Sequence, residues 1–482
     1  MHLSNLLILM IVSPLLGAVS QAFKPNRIFS FLASSIPTAI LFFVFFQADW
    51  TTGKDLFFFR TEWIPHYQAE LFLRINGINF LALLTVCLVS NVLLASFWKK
   101  KEYEPALSSM VLLTQAFSII SLLSGDLFVQ AVFWGATAIP IYFLSALFGS
   151  KSGRSGFHFL IHSMLGVFLF FIGVLLVYYF SQPHSFDMAA IKAGLFQQST
   201  DSFLGIAVPE WAFLFICFGV FLRLPLFPFT GWMTALTEEL SVEMLVTHVG
   251  IFLTSTVVIF SQIIISVFGK QLTNFSLVFL VIGFLNAFIG VLLLVSGKSF
   301  PRIISAVGML FFGIAIIALG SNNTFSVLSI VLSGLSVGMS VAGLAWIYSC
   351  LEAREYLWDR TGWKSTGLFF SLQSIIFSNI AFVPATSGFI PLALVLSGVF
   401  KKDPVVATIC VIIGMLLAYA VFRIHDEKIS GSSGEKIKLD AREKSIGILI
   451  VFLIVLLGVW PKELIKVSQP AVVELLKVVQ QP

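Results

Sequence analysis

The sequence predicts an all-α, polytopic membrane protein, and three observations support this fold class. Hydrophobic residues make up 58% of the 482 residues, and the mean hydropathy is +0.98. Charged residues make up only 11%, whereas soluble domains carry about a quarter. Apolar runs of about 17–25 residues, long enough to cross a bilayer, recur along the whole chain and number about fourteen.

The expected spans follow one another with mostly short connections. They lie near residues 3–22, 28–47, 78–98, 106–123, 127–148, 157–180, 211–229, 244–268, 275–296, 303–319, 325–350, 367–399, 405–422 and 445–460. The longer connections are 48–77, 181–210, 351–366 and 423–444. Proline donates no backbone hydrogen bond. We therefore expect broken helices in span seven, at Pro225 and Pro228, and in span twelve, at Pro384 and Pro391.

One permanent positive charge, Arg223, stands directly before the two prolines of span seven. These prolines deprive the carbonyls of Phe221 and Leu224 of their usual helical donors. A charge and freed carbonyls are tolerated in a bilayer only where protein or a wet cavity surrounds them. Arginine does not release its proton at accessible pH. Arg223 is therefore either a structural anchor or a fixed charge in an ion pathway, and it is not a proton relay.

The other ionisable residues in or beside spans are few: Asp126, His162, Glu243, His248, Lys298 and Arg302. His248 and Glu243 stand where span eight begins, and imidazole, which titrates near neutrality, suits either a relay or a helix contact. Asp126 follows Gly125 at the head of span five, which favours a helix cap. Lys298 and Arg302 flank the start of span ten and are interpreted as anchors on the positively charged side. We take Arg223, His248, Glu243, Asp126 and Lys298 as ion-pathway candidates.

Several classes of function receive no support. The net charge of +5 is spread over short loops and forms no patch for nucleic acid. All four cysteines lie in apolar runs without a C-x-x-C pair, which argues against zinc, iron–sulfur clusters and disulfides: Cys87, Cys217, Cys350 and Cys410. No phosphate-binding loop, nucleophile setting or metal-ligand cluster occurs, so no catalytic or metal-binding residue is predicted.

Lysine and arginine residues concentrate in the loops that follow odd-numbered spans. The positive-inside rule then places those loops in the cytoplasm and both termini on the outer side of a bacterial-type inner membrane. The first basic residue, Lys24, comes after the first apolar run, so we interpret that run as an uncleaved span. The tail at 461–482 has an apolar stripe typical of an amphipathic helix on the outer surface. Its members are Val467, Val472, Leu475, Leu476 and Val479.

We expect a single membrane domain over residues 1–460. Spans one to four (1–123) would be peripheral, spans five to eight (124–270) a first channel-like half and spans nine to thirteen (271–422) a second half, with span fourteen at 445–460. Proline interrupts apolar runs in both halves, as in inverted-repeat transporters.

Four segments stand out for a pattern seen elsewhere: LFLRINGINFLALL at 71–84, GDLFVQAVFWGATAIPIYFLSALFG at 125–149, FLRLPLFPFTGW at 221–232 and FVPATSGFIPLALVLSGVF at 382–400. They resemble the antiporter-like membrane subunits of respiratory complex I, of membrane hydrogenases and of Mrp cation/proton antiporters. The M-type subunit of NADH:quinone oxidoreductase is the most similar in length and span count. The resemblance implies partners in the membrane arm of such a complex. It also implies that NADH, FMN, iron–sulfur clusters and quinone belong to partner subunits, with no cofactor in this chain.

The departures from the family pattern concern its proton path. The resemblance places a family Glu at Gly135, the span-seven Lys at Arg223 and the span-eight Lys at Thr254. It places a His at Phe311, another at about Ser333, and the span-twelve Glu at Leu392. Because these titratable groups are missing, we expect a degenerate M-type subunit with an impaired or rerouted proton path. The alternatives are an Mrp-like cation/proton antiporter subunit and a non-transporting scaffold of the membrane arm.

Overall fold

The computed structural model describes residues 3–99, 105–148, 154–193, 196–198, 201–296, 299–356, 358, 363–430 and 435–477. The first part of the chain contains α1 (Leu3–Phe23), α2 (Arg27–Gln47), β1 (Phe57–Ile64), β2 (Ala69–Ile75), α3 (Asn79–Ser96) and α4 (Pro105–Leu123). Asn26 caps α2, because its side chain accepts from the backbone N–H groups of Ile28 and Phe29. The 48–77 connection, expected only as a loop, folds into the antiparallel hairpin β1–β2.

The middle of the chain is divided into shorter helices. They are α5 (Leu127–Ala136), α6 (Ala138–Phe148), α7 (Arg154–Phe180), α8 (Met188–Ala193), α9 (Val208–Arg223), α10 (Gly231–Leu236), α11 (Val242–Thr247), a π-helix (His248–Leu253), α12 (Thr254–Val267) and α13 (Gly269–Asn274). The two-residue strands β3 (Ser202–Phe203) and β4 (Ile206–Ala207) precede α9. The span-eight region is thus one continuous helical stretch that widens to π geometry at His248.

The last part of the chain returns to long helices. They are α14 (Ser276–Ser296), α15 (Phe300–Ser321), α16 (Thr324–Glu352), α17 (Gly367–Ile380), α18 (Phe389–Lys402), α19 (Pro404–Ser430), α20 (Ala441–Val459) and α21 (Lys462–Leu476). The strands β5 (Trp363–Lys364) and β6 (Glu435–Lys436) pair in parallel.

Among the described residues, 11 helices are long and apolar enough to cross a membrane, or 12 if the bent pair α20–α21 counts as one span. Helix α9 has 16 residues, and α17 and α18 have 14 each, whereas a bilayer needs about 20. The expected count of about fourteen spans therefore stays a prediction.

The helices differ in how much of their surface the protein covers. Helices α15 and α16 are apolar on all sides and are buried along their length, as is nearly all of the stretch from α11 to α12. Helices α7 and α19 leave most of their surface uncovered and present large apolar side chains such as Phe168 and Met415. A helix that is hydrophobic all round is buried in the protein or faces lipid, so the core of the fold is built on α12, α15 and α16.

The C-terminal helix α21 turns 64° away from α20 and folds back on the protein. Val467, Val472 and Leu476 of its apolar stripe are buried, and the helix packs beside the turn at Trp50–Thr52. The stripe thus faces the protein rather than an open surface, and Val479 lies outside the described residues.

Candidate functional site

Arg223 is the last residue of α9 and is almost completely buried, with 1% of its surface exposed. Helices α7 and α9 approach closely at this level because both carry glycine. A Cβ atom at Gly166 of α7 would lie 2.8 Å from Cγ of Arg223 and 2.6 Å from the carbonyl oxygen of Gly219. The missing side chain at Gly166 therefore makes room for the arginine stem between the two helices.

Aromatic rings and a carbonyl hold the guanidinium of Arg223. Its central carbon lies 4.3 Å from the ring centre of Trp134 and 4.2 Å from that of Phe252. Nη1 donates to the Trp134 carbonyl at 2.5 Å, and Nη2 donates to Oγ1 of Thr137 at 3.0 Å. These acceptors lie where α5 ends and α6 begins, and the Trp134 carbonyl also accepts from Oγ1 of Thr137 at 2.6 Å. Desolvated cation–π contacts contribute about 2 kcal/mol each.

No carboxylate among the described residues forms an ion pair with Arg223, and its Nε has no hydrogen-bond partner there. This arrangement fits the structural-anchor interpretation, since the charge is fixed by the residues around it. A role of the same charge in a pathway remains a prediction.

His248 opens the π-helix and is completely buried in an aromatic cage. Its ring centre lies 5.3 Å from Phe159, 5.6 Å from Trp232 and 5.3 Å from Phe252. Neither ring nitrogen has a hydrogen-bond partner among the described residues. Phe252 touches both the imidazole and the guanidinium of Arg223, so the structure brings these two candidates to one ring.

The other candidates lie apart from this pair. Asp126 caps α5, as expected, with Oδ1 accepting from the N–H groups of Phe128 and Val129 at 2.8 and 3.0 Å. Glu243 lies in the first turn of α11 and is 4% exposed. Lys298 lies outside the described residues.

Two further residues from the sequence make ordinary contacts. Nδ1 of His162 lies 2.8 Å from the carbonyl oxygen of His158, one turn earlier in α7. Arg302 pairs with the exposed Glu238 at 2.7 Å.

The proline segment after α9 is closed by a residue that the sequence analysis did not single out. Asn286 of α14 is completely buried, and its Oδ1 accepts from the N–H of Phe227, between Pro225 and Pro228, at 3.2 Å. Its Nδ2 donates to the Met309 carbonyl of α15 at 2.8 Å. One amide therefore joins three elements, and its position in an otherwise apolar run is the signal that could have identified it.

A second buried amide closes the gap between α17 and α18. Oδ1 of Asn379 accepts from the N–H of Gly388 at 2.7 Å and from Oγ of Ser387 at 3.0 Å. Pro384 lies within this gap, and Pro391 lies in the first turn of α18, where its carbonyl accepts from Ser329 at 2.8 Å. Backbone groups freed by irregular structure are thus satisfied by polar side chains of the protein.

Four of the positions where the resemblance predicts titratable residues line small apolar cavities. Thr254, Phe311 and Ser333 line one cavity of about 10 Å³, and Leu392 lines another of about 10 Å³ together with Phe382. A cavity of this size holds at most one water molecule.

The hydroxyls that line the first cavity are already engaged. Thr254 donates to the Gly250 carbonyl at 2.8 Å, and Ser333 donates to the Ile330 carbonyl at 2.8 Å. At Gly135, a Cβ atom would lie 3.0 Å from Cγ1 of Val167, so that position is already filled by a neighbouring side chain. Within the described ranges, no group of three or more His, Cys, Asp and Glu residues could hold a metal ion.

Most of the chain is similar to known proteins. A family model described as NADH:quinone oxidoreductase/Mrp antiporter, TM, matches residues 124–418, more than half of the chain. NADH-quinone oxidoreductase subunit M of Buchnera aphidicola subsp. Acyrthosiphon pisum is 24% identical over 496 residues, covering 96% of each chain.

Two solved structures share the fold. A chain of respiratory complex I from Thermus thermophilus with bound NADH superposes with a TM-score of 0.86 at 18% identity, covering 98% of this chain and 100% of that one. A chain of the Mrp complex from Dietzia sp. DQ12-45-1b gives a TM-score of 0.82 at 13% identity, covering 97% of this chain and 52% of that one.

Proposed function

Because the chain belongs to the NADH:quinone oxidoreductase/Mrp antiporter transmembrane family, we propose that it is an M-type membrane subunit of a complex I-like assembly with an interrupted proton path of its own. The chain would supply the helical frame and docking surfaces of the membrane arm. NADH, FMN, iron–sulfur clusters and quinone would belong to partner subunits. The protein would reside in a bacterial-type inner membrane with both termini on the outer side.

The proposal rests on the fixed charge of Arg223 and on the residues that surround it. A proton relay needs groups that both bind and release a proton, and arginine keeps its proton at all accessible pH values. Its charge is surrounded by the rings of Trp134 and Phe252 and has no acidic partner among the described residues.

The neighbouring positions support the same conclusion. Thr254, Phe311, Ser333 and Leu392 provide no titratable group where the family resemblance expects one. The two cavities at these positions are too small to hold a chain of water molecules.

The test uses the assembled complex reconstituted in proteoliposomes, with protons moved per electron pair as the readout. We expect Arg223→Ala and His248→Ala to leave this ratio unchanged, because no proton passes through either residue. Assembly on a native gel and the electron-transfer rate are measured in parallel. Arg223→Gln removes the charge but keeps a hydrogen-bond donor, and it replaces the alanine variant if that variant fails to assemble.

Arg423→Ala is the matched control, since it removes an exposed arginine that pairs with Glu427, one helical turn away. A large fall in pumping in an assembled complex that carries a change at Arg223 or His248, but not at Arg423, would show that the path is active.

A second candidate function, an Mrp-like antiporter subunit, is favoured by one observation. Glu243 is a buried acid on the same continuous helical stretch as His248, and cation/proton exchange needs such a group inside the membrane. Co-purification separates the two functions. Partners that carry flavin and iron–sulfur centres favour the redox complex, and cation/proton exchange without such partners favours the antiporter.

A further inference from the structure

A cavity of about 530 Å³ lies between the β1–β2 hairpin, α8, the end of α12 and α21. Ile78, directly before α3, and Ser266, near the end of α12, both line it. Because α3 and α12 belong to membrane-spanning stretches, the cavity lies at the level where the bilayer meets water. Neither Arg223 nor His248 lines this cavity.

One face of the hairpin forms a wall of this cavity. Phe58 is opposite Arg74, and Arg60 is opposite Phe72, in the strand register. Alternate residues of a strand point to the same side, and all four line the cavity. The Arg60 and Arg74 guanidinium groups lie 5.0 and 5.9 Å from the centre of the Phe72 ring. The wall therefore combines aromatic surface with fixed positive charge.

Carboxylates hold the two arginines in place. Arg74 pairs with Asp55 at 3.0 Å. Arg60 pairs with Glu70 and, at 3.3 Å, with Asp187. These pairs orient the guanidinium groups and balance their charge.

Two lysines of the cavity remain without such a partner. Neither Lys54 nor Lys192 forms an ion pair among the described residues. Glu474, the acid that α21 contributes, pairs with Lys477 at 2.9 Å. Burial lowers the pKa of Lys192, Glu474 opposes this shift and Arg74 adds to it. A bound anion would stabilise both lysine charges.

The remaining lining combines apolar side chains, mainly Ile78, Met188 and Leu475, with the polar side chains of Asn76, Gln262 and Ser266. A site that combines two lysines, neither in an ion pair among the described residues, with apolar side chains matches an anionic group attached to a hydrocarbon chain. Clusters of basic residues at the membrane surface recognise anionic lipids in this way.

We propose that this cavity binds a phosphate group, that of an anionic phospholipid, with Lys54 and Lys192 as the contacting cations. The head group would enter beside Arg74 and the Phe72 ring, and the start of an acyl chain would lie against Met188 and Leu475.

The test measures lipid binding to the purified full-length chain by native mass spectrometry in detergent. Phosphatidylglycerol, phosphatidylcholine with the same acyl chains and inorganic phosphate are the three probes. We expect a preference for phosphatidylglycerol over phosphatidylcholine. The double variant Lys54→Gln/Lys192→Gln should bind phosphatidylglycerol on the order of tenfold more weakly.

Lys270→Gln/Lys466→Gln is the control, because it removes the same charge from residues that do not line the cavity. It should bind phosphatidylglycerol as the unmodified chain does. Thermal unfolding of both double variants verifies that the fold is retained.

Binding of inorganic phosphate that depends on Lys54 and Lys192, without a preference for phosphatidylglycerol, would keep the phosphate site and assign a soluble phosphate as its ligand. Equal binding of phosphatidylcholine and phosphatidylglycerol with no binding of phosphate would overturn the proposal. Unchanged phosphatidylglycerol binding in the cavity variant would also overturn it.

Discussion

The guanidinium carbon of Arg223 lies 4.2 Å from the centre of the Phe252 ring, in a region with no acidic partner among the described residues. The ring face carries partial negative charge and attracts a cation without being able to accept a proton. The same ring stacks at 5.3 Å on His248. The Arg223 charge is therefore stabilised by an aromatic ring that cannot titrate, as expected for a structural anchor.

The first prediction concerns the second ring, Trp134. Replacing Trp134 by Leu removes a desolvated cation–π contact, leaves a cavity and deletes the bond from its Nε1 to Thr256 at 3.0 Å. We expect the free energy of unfolding to fall by about 2–4 kcal/mol, measured by thermal unfolding in detergent. Trp460→Leu is the control, because Trp460 is 62% exposed. Equal melting temperatures for the two variants would contradict the anchoring role of Trp134.

The second prediction concerns Asn286, which joins the proline segment after α9 to α14 and α15. Asn286→Ala leaves the N–H of Phe227 and the carbonyl of Met309 without these partners. Interhelical hydrogen bonds in membranes contribute about 0.6 kcal/mol on average and up to about 1.7. We expect the free energy of unfolding to fall by about 1–2 kcal/mol and the segment 224–230 to be cleaved faster by protease. The exposed Asn274→Ala should have no effect, and a similar loss in both variants would refute the role of Asn286.

The membrane class and the unusual position of Arg223 could be predicted from the sequence, because a charge between apolar residues and two prolines is conspicuous. Its partners could not be predicted. Phe occurs 52 times and Trp 10 times in this chain, so nothing in the sequence marks Phe252 or Trp134 as the rings that hold the charge. These two rings contact the guanidinium because α5, α9 and the π-helix lie together in the fold.

The hairpin was missed for a different reason. Segment FFFRTEWI at 57–64 contains β-prone aromatic residues. Polar and apolar side chains do not alternate strictly along it, so the usual sign of a half-buried strand is missing. Its partner strand, 69–75, lies in the same connection, 48–77, for which the sequence predicts no strand. Pairing of the two strands forms one wall of the cavity lined by Lys54 and Lys192, so the sequence could not predict that cavity.

The third prediction is a pH dependence that arises at Asp126, directly before α5. Burial raises the pKa of Asp126 to about 6, the neighbouring Asp187 carboxylate adds to the rise, and backbone N–H groups, including that of Glu70, oppose it. An unfolded aspartate titrates near about 3.9, so the folded chain binds this proton more tightly. The stabilisation is fully present below about pH 4 and is lost as the pH rises through the folded pKa.

The measurement is the melting temperature of the chain between acidic and neutral pH. Asp126→Asn still accepts the cap bonds of α5 but cannot titrate. Between acidic and neutral pH, the free energy of unfolding of the unmodified chain should fall by at most about 3 kcal/mol through Asp126, and this fall should be absent in Asp126→Asn. Asp49→Asn is the control, because hydrogen bonds from Thr51 lower the pKa of Asp49 and place its effect at more acidic pH. The same pH profile in the unmodified chain and in Asp126→Asn would exclude Asp126 as the source.

The last prediction concerns the contact between α21 and the segment before α3. A Cβ atom at Gly77 would lie 2.1 Å from the carbonyl oxygen of Val467 and 3.2 Å from Cβ of Ala471. Both neighbours belong to α21, and the nearer one is backbone that cannot rotate away. Gly77→Ala should therefore push α21 off the protein, lower the free energy of unfolding by about 1–3 kcal/mol and expose the tail to protease.

Gly231→Ala is the matched control, because a Cβ atom there meets nothing within 4 Å. Since alanine restricts the unfolded chain more than glycine does, this control should leave stability equal or slightly higher. Because α21 also contributes Glu474 and Leu475 to the cavity lined by Lys54 and Lys192, Gly77→Ala should weaken phosphatidylglycerol binding as well, although it changes no charge. An unchanged melting temperature and an intact tail after proteolysis of Gly77→Ala would mean that α21 does not depend on this contact.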